Sequence, residues 1–180
     1  MASSSEPMSD EAKRIRSYLQ AQGAKLPPAA LVDRVQAAMD DLRLALDAVP
    51  ADRMAERPAP DDWSADEVMA HVLDSGAYFA TSITRAIDGE AGLALRERTG
   101  SVAARHHTAA EWSARLRAER QPLFDRVLRA DPGAHLEPVI EHPFFGMLNW
   151  REAVLFLRIH DLDHARQIQA VAAALAARPA

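Results

Sequence analysis

Apolar residues recur along this chain at steps of three and four rather than two. Leu31, Val35, Met39, Leu42, Leu46 and Val49 form one such stripe, the spacing of a helix that buries one face. Pro27 and Pro28 open this segment, where proline's missing N–H is harmless, and Pro50 closes it. Ahead of it, residues 11–22 predict a short leading helix ending at Gly23, and residues 1–10 read as a disordered N-terminus. Residues 51–62, with Pro58 and Pro60, read as a connection.

Three later helices share one kind of start signal. In "WSADEV" (63–68), Ser64 and Glu67 are spaced as a capping box and Trp63 is placed to staple onto Val68. "TAAE" (108–111) repeats the device, and Pro122 predicts a kink or break near Gln121 in the helix that follows. "DPG" (131–133) ends that helix, and residues 134–148, with two more prolines and Gly146, read as a long irregular connection. Asn149 with Glu152 starts the last helix, which runs to the C-terminus. The pattern predicts an all-α fold: a four-helix bundle with a short N-terminal helix and long loops, one domain over residues 11–180.

Composition agrees. A chain of 180 residues fits one core. Much of its 48% apolar content is alanine, aromatics are 6%, and the Val, Ile, Thr and Tyr runs of strands are missing. With 26 acidic against 21 basic residues, the net charge of −5 argues against a general nucleic-acid binder. Residues 91–130 are a local exception, eight arginines against four acids, which reads as a solvated face or a grip on an anionic cosubstrate. The absence of cysteine removes disulfides, thiolate ligands and a cysteine nucleophile together. Any thiol chemistry must therefore import its thiol. The polar start, MASSSEPMSDEAKRIR, and the lack of about 18 consecutive apolar residues argue against a membrane span and lead to an expectation of the cytoplasm.

The candidate chemistry concentrates in "RIHDLDHARQI" (158–168). At about 100° per residue, His160 and His164 fall about 40° apart, within the stripe of Ala153, Phe156, Leu157, Ile168 and Val171. Two interior-facing imidazoles must be satisfied, by a metal ion or by a hydrogen-bonded core network. The string H-D-x-x-H invites comparison with the zinc-protease H-E-x-x-H helix. Aspartate is shorter than the glutamate base, however, and the sixteen residues after His164 hold no His, Asp or Glu. A third side-chain ligand must come from upstream.

His71 is the strongest candidate, about 60° from Val68 on a flank shared with Ser75, Tyr78 and Ser82. The Glu-x-x-His pairs of di-iron bundles are absent. His106 and His107 read as solvated loop residues; His135 and His142 flank the irregular connection, with turn contacts the first expectation and the mouth of a site the second. Asp74, Asp161 and Asp163 read as solvated surface carboxylates, the alternative being that one of them orients a ligand histidine.

These pieces, in this order, resemble the DinB-like superfamily of four-helix-bundle metalloproteins. The likeness rests on "DDWSADEVMAHVLDSGAYF", with His71, and on "HPFFGMLNWREAVLFLRIHDLDHARQI", with His160 and His164 followed by Gln167 and Ile168. It covers roughly residues 28–175. Asp161 stands where the family commonly has Glu, and Arg166 where it commonly has Gly. The resemblance implies one divalent metal ion, typically nickel, zinc or iron, held by His71, His160 and His164. It also implies relatives that transfer a low-molecular-weight thiol to an electrophile or isomerise substrates with one.

Three imidazoles would leave an ion an open position, where water or a thiol becomes nucleophilic near neutral pH. The leading expectation is a metal-dependent thiol S-transferase acting on a small-molecule electrophile in detoxification or stress. A metal-dependent small-molecule hydrolase and a non-catalytic metal- or ligand-binding bundle are the alternatives. Nucleic acid and membrane are not expected partners; a homodimer through an exposed helix face is compatible with a bundle of this size, and no feature of the sequence establishes it.

Overall fold

Capping decides where each long helix begins. The computed structural model of the protein describes residues 9–91 and 105–177. Its helices are α1 (Asp10–Lys25), α2 (Pro28–Asp47), α3 (Ala65–Ile87), α4 (Ala109–Leu128) and α5 (Trp150–Ala176). Complete capping boxes open α3 (Ser64, Glu67), α4 (Thr108, Glu111) and α5 (Asn149, Glu152), satisfying backbone N–H groups that a helix leaves without partners. Pro28 begins α2 directly after Pro27.

The protein is all-α in its architecture. Helix α2 packs on α4 and α5, and α3 packs on the same two, so the four long helices close a ring, with α1 laid against α5. The apolar stripe of α2 faces inward: Leu31, Val35 and Leu42 are fully buried and join one contiguous core with Val68, Val72, Leu157 and Ile168. Arg53, in a short 3-10 turn at Ala51–Arg53, donates to the Leu175 carbonyl at 2.7 Å and pairs with Glu56, tying the α2–α3 connection to the far end of α5.

Four expectations require correction. Ser9 caps α1 and Asp10 lies in its first turn, so the ordered chain starts inside the segment read as disordered; residues 1–8 of that segment lie outside the described residues. Gly23 does not end α1, which continues to Lys25. It is buried where α1 meets the start of α5: a Cβ there would come 3.2 Å from Glu152 Cγ, and its carbonyl accepts from Arg151 Nε at 2.6 Å. This glycine marks a close approach rather than a stop.

Pro122 does not break α4 either. Loss of its N–H and the ring's clash cost about 3 kcal/mol. Leu116, Leu123, Phe124 and Val127, buried on both sides of it, each contribute about 1.5–3 kcal/mol. Burial outweighs the defect. Finally, the connection at 134–148 contains an antiparallel hairpin, β1 (Ile140–His142) with β2 (Gly146–Leu148), registered Ile140 to Leu148 and His142 to Gly146. Gly146 turns it with φ 70°, and Ile140 and Leu148 are fully buried beneath it.

A buried charge crosses the bundle at mid-height. Arg120 of α4 is fully buried and donates through Nη2 to Asp161 of α5 at 3.3 Å; Asp161 is fully buried too. The guanidinium lies against Gly76 of α3, where a Cβ would stand 2.0 Å from Nη1. Burial also raises the neighbouring Glu119 to about 7.

Gly76→Ala therefore must displace a guanidinium that has no water to move into. It is expected to cost about 3–5 kcal/mol, the cost of breaking a buried pair, read as a lowered urea midpoint by circular dichroism. Gly133→Ala, whose Cβ would meet Asp131 at an ordinary 3.6 Å, is expected to change stability by less than about 1 kcal/mol.

Candidate metal centre

His71 reaches the bundle interior from α3, and His160 and His164 from successive turns of α5. One ring nitrogen of each lies within 4.8 Å of the others, and all three rings are half-buried. The ring centroids of His71 stand 5.5 Å from His160 and 4.9 Å from His164, and those of His160 and His164 are 4.4 Å apart. Trp63, before the cap of α3, sets its ring edge-on to His71 at 5.3 Å.

Hydrogen bonding shows which nitrogens converge. The Nδ1 of His164 lies 2.8 Å from Gln167 Oε1, a carbonyl oxygen that can only accept, so Nδ1 carries the proton and Nε2 keeps its lone pair. That Nε2 faces His160 Nε2 at 3.2 Å. The His160 Nδ1 is buried without a hydrogen-bond partner, and its nearest charged neighbour is Asp161 Oδ1 at 3.6 Å. If His160 carried its proton on Nε2, its Nδ1 lone pair would confront that carboxylate. With the proton on Nδ1 instead, two Nε2 lone pairs face each other and repel unless a cation lies between them. Ser75 Oγ, 3.3 Å from His71 Nε2, completes the rim. This donor set fits a divalent ion, with Asp161 and Gln167 placed to orient two of the imidazoles from behind.

Burial is the main cause that pulls His164 down to about 4, with the neighbouring His160 adding to it. The ring is therefore neutral at pH 7, the form a cation requires.

Two of the three histidines, His71 and His160, line a cavity of about 430 Å3. Its walls are aromatic (Phe79, Phe145 and Phe156), and α1 closes one side with Ile15 and Glu11. His142 of β1 also lines it, pulled down to about 4 by burial first and by His160 second.

The sequence-level candidates thus separate. His71, His160 and His164 come together. Asp163 is exposed at the cavity mouth, as a solvated carboxylate would be, and Asp74 is half-buried. Asp161 overturns the solvated reading, because Arg120 arrives from α4 to neutralise it. His106 and His107 were expected in solvent, yet their loop is tied to buried Asp66. That carboxylate lies 3.1 Å from His106 Nδ1 and accepts from the His107 N–H at 3.4 Å and from Trp112 Nε1 at 2.7 Å. His135 takes φ 54° and lays its ring on Gly89, away from the site. His142 meets both of its expectations, a turn contact and a place at the cavity. The orienting role of Gln167 escaped a reading of the residues, although its position three residues after His164 was a usable signal.

A family model described as the DinB superfamily matches residues 32–168, well over half the chain, and the chain belongs to that superfamily. Comparison with curated proteins and with solved structures found no match.

Between about pH 4 and its ordinary 6.5, His164 binds a proton in the unfolded chain but not in the folded one. Stability consequently falls as pH drops through that window. In urea titrations without added metal, His164→Gln, which cannot take up that proton, is expected to flatten the dependence of unfolding free energy on pH between 6.5 and 4. Parallel slopes for wild type and variant would show that His164 does not carry it.

Proposed function

We propose that this member of the DinB superfamily holds one divalent metal ion through His71, His160 and His164 and transfers a low-molecular-weight thiol to a small electrophile. One observation carries the reading. Two of three convergent imidazoles form part of the wall of an aromatic cavity large enough for a small molecule. A purely structural site would be closed on all sides.

When bound, nickel, zinc or iron would supply Lewis acidity that brings the pKa of a thiol or a water toward neutrality. The chain does the rest. Gln167 holds the ring of His164 in register, and the Asp161 carboxylate lies 3.6 Å behind His160 Nδ1. Phe79, Phe145 and Phe156 exclude water and favour an apolar electrophile over a hydrated one. The chain has no cysteine, so the sulfur belongs to a substrate. Its electron pair forms the new C–S bond, its proton passes to solvent, and the displaced pair leaves with the leaving group. Exposed Arg166 at the mouth gives an anionic thiol compound a cation to approach.

Elemental analysis of the untagged protein, beside His71→Ala, is the first test. About one metal per chain is expected for wild type. Its loss is expected in a variant whose circular dichroism is unchanged. The loaded protein, given cysteine or glutathione and chlorodinitrobenzene, is expected to form the thioether faster than the uncatalysed reaction, and His71→Ala to fall to background. Metal-dependent hydrolysis without thiol would replace this reading with a hydrolase. Metal without turnover of either kind would leave a binding protein.

A further inference from the structure

His142 is a polar residue placed where an apolar one would be expected. Only 5% exposed, it stacks on Phe145 at 4.5 Å and on Phe79 at 6.1 Å, with Phe156 edge-on at 4.3 Å. Burying an imidazole among three phenyl rings is costly unless its nitrogens are used. One of them is. The backbone N–H groups of Phe144 and Phe145 both donate to Nδ1, at 3.2 and 3.3 Å.

That pair of donors determines the tautomer. Nδ1 accepts, so the single proton of the neutral ring sits on Nε2, on the opposite side of the imidazole. Nε2 receives no bond from any described residue, yet it is not among the buried atoms left without a partner, so it opens onto free space. The space it opens onto is the cavity that His142 lines together with His71 and His160. His142 is not a member of the convergent metal-ligating group. Its ring stays neutral well below pH 7, because burial pulls it down to about 4. An immobilised N–H therefore faces a cavity whose wall around His142 is phenyl rings, with the oxygens of Ser75, Tyr78, Glu11 and Asp163 elsewhere on the lining.

We propose that His142 is a substrate-positioning residue whose Nε2–H donates to an oxygen acceptor, a carbonyl above all, on a flat apolar substrate held between the phenyl rings. The assignment deepens the transferase reading of the same cavity and rests on it only for the identity of the reaction. The site selects neutral, oxygen-bearing aromatic or conjugated electrophiles over hydrocarbon or halide analogues of the same shape. A hydrocarbon in the same place would leave the buried N–H without any partner.

Two substitutions separate this role from the turn contact. Asn at 142 puts an amide oxygen where Nδ1 accepts from the hairpin but removes the far donor. Gln reaches the far position with an N–H but loses the near acceptor. Acetophenone and ethylbenzene, alike in shape and differing in the oxygen, serve as probes, with binding to the full-length protein as isolated read by NMR titration. Wild type is expected to prefer acetophenone by about fivefold or more, the worth of one buried hydrogen bond. His142→Asn should fold and retain its metal yet lose that preference, and His142→Gln should keep part of it. Equal binding of the two probes by wild type would overturn the proposal, as would an undiminished preference in His142→Asn. Loss of metal from His142→Asn would overturn it by making the residue a ligand. A protein without thiol transfer that still shows the preference would sink the reaction assigned above while leaving His142 as the oxygen-binding residue.

Discussion

A guanidinium removed from water must be met by a carboxylate, and that requirement organises the middle of this bundle. Arg120 and Asp161 are both fully buried, and neither is tolerable there without the other. The arginine fits because Gly76 has no side chain to oppose it, so three helices are pinned at one level: α3 by an absence, α4 by the cation and α5 by the anion. His71 lies about a turn and a half before Gly76, and His160 immediately precedes Asp161. The same crossing that satisfies the charge fixes α3 against α5 close to where one nitrogen of each imidazole converges. A buried ion pair is a poor source of net stability, and an apolar replacement often does as well. Its consequence here is positional.

Low polarity around the site does two jobs with one set of side chains. Phenyl rings from α3, the hairpin and α5 lie against His142 and His160. Burial, for His142 among those rings, disfavours the imidazolium form and keeps His142 and His164 neutral. The two neutral rings are then put to different uses. His164 turns its protonated nitrogen outward to Gln167 and its lone pair inward, whereas His142 gives its lone pair to the hairpin backbone and turns its proton inward. Opposite tautomers of one residue type thus present a lone pair to the histidine cluster and a donor to the cavity beside it, each selected by the partner on its far side.

Helix α1 and the hairpin are small additions to the four long helices, but they shape what the cavity admits. The hairpin brings His142 and Phe145 over α3 and α5, and α1 brings Ile15 and Glu11 to the remaining side. Arg151, at the head of α5, anchors α1 by donating to the Gly23 carbonyl. The floor of the site therefore belongs to the bundle, and its selectivity to the short elements packed against it.

What the sequence by itself determined is local. Helix starts at Ser64, Thr108 and Asn149 were legible because a capping box closes within one turn, and the inward face of His160 and His164 because helical periodicity is regular. The upstream ligand, His71, was legible as a polar flank on an apolar stripe. Beyond one turn the signals stop. Three-residue strands are too short for alternation to register, Gly23 and Pro122 carry local meanings that packing overrode, and Asp161 reads as a surface acid until Arg120 arrives from another helix. Only the tertiary structure decided that His142 lines a cavity: its turn contacts lie two and three residues on, but Phe79, Phe156, His71 and His160 are brought to it from other helices. Propensity and periodicity describe how a segment behaves alone; burial and pairing depend on what the rest of the chain places beside it.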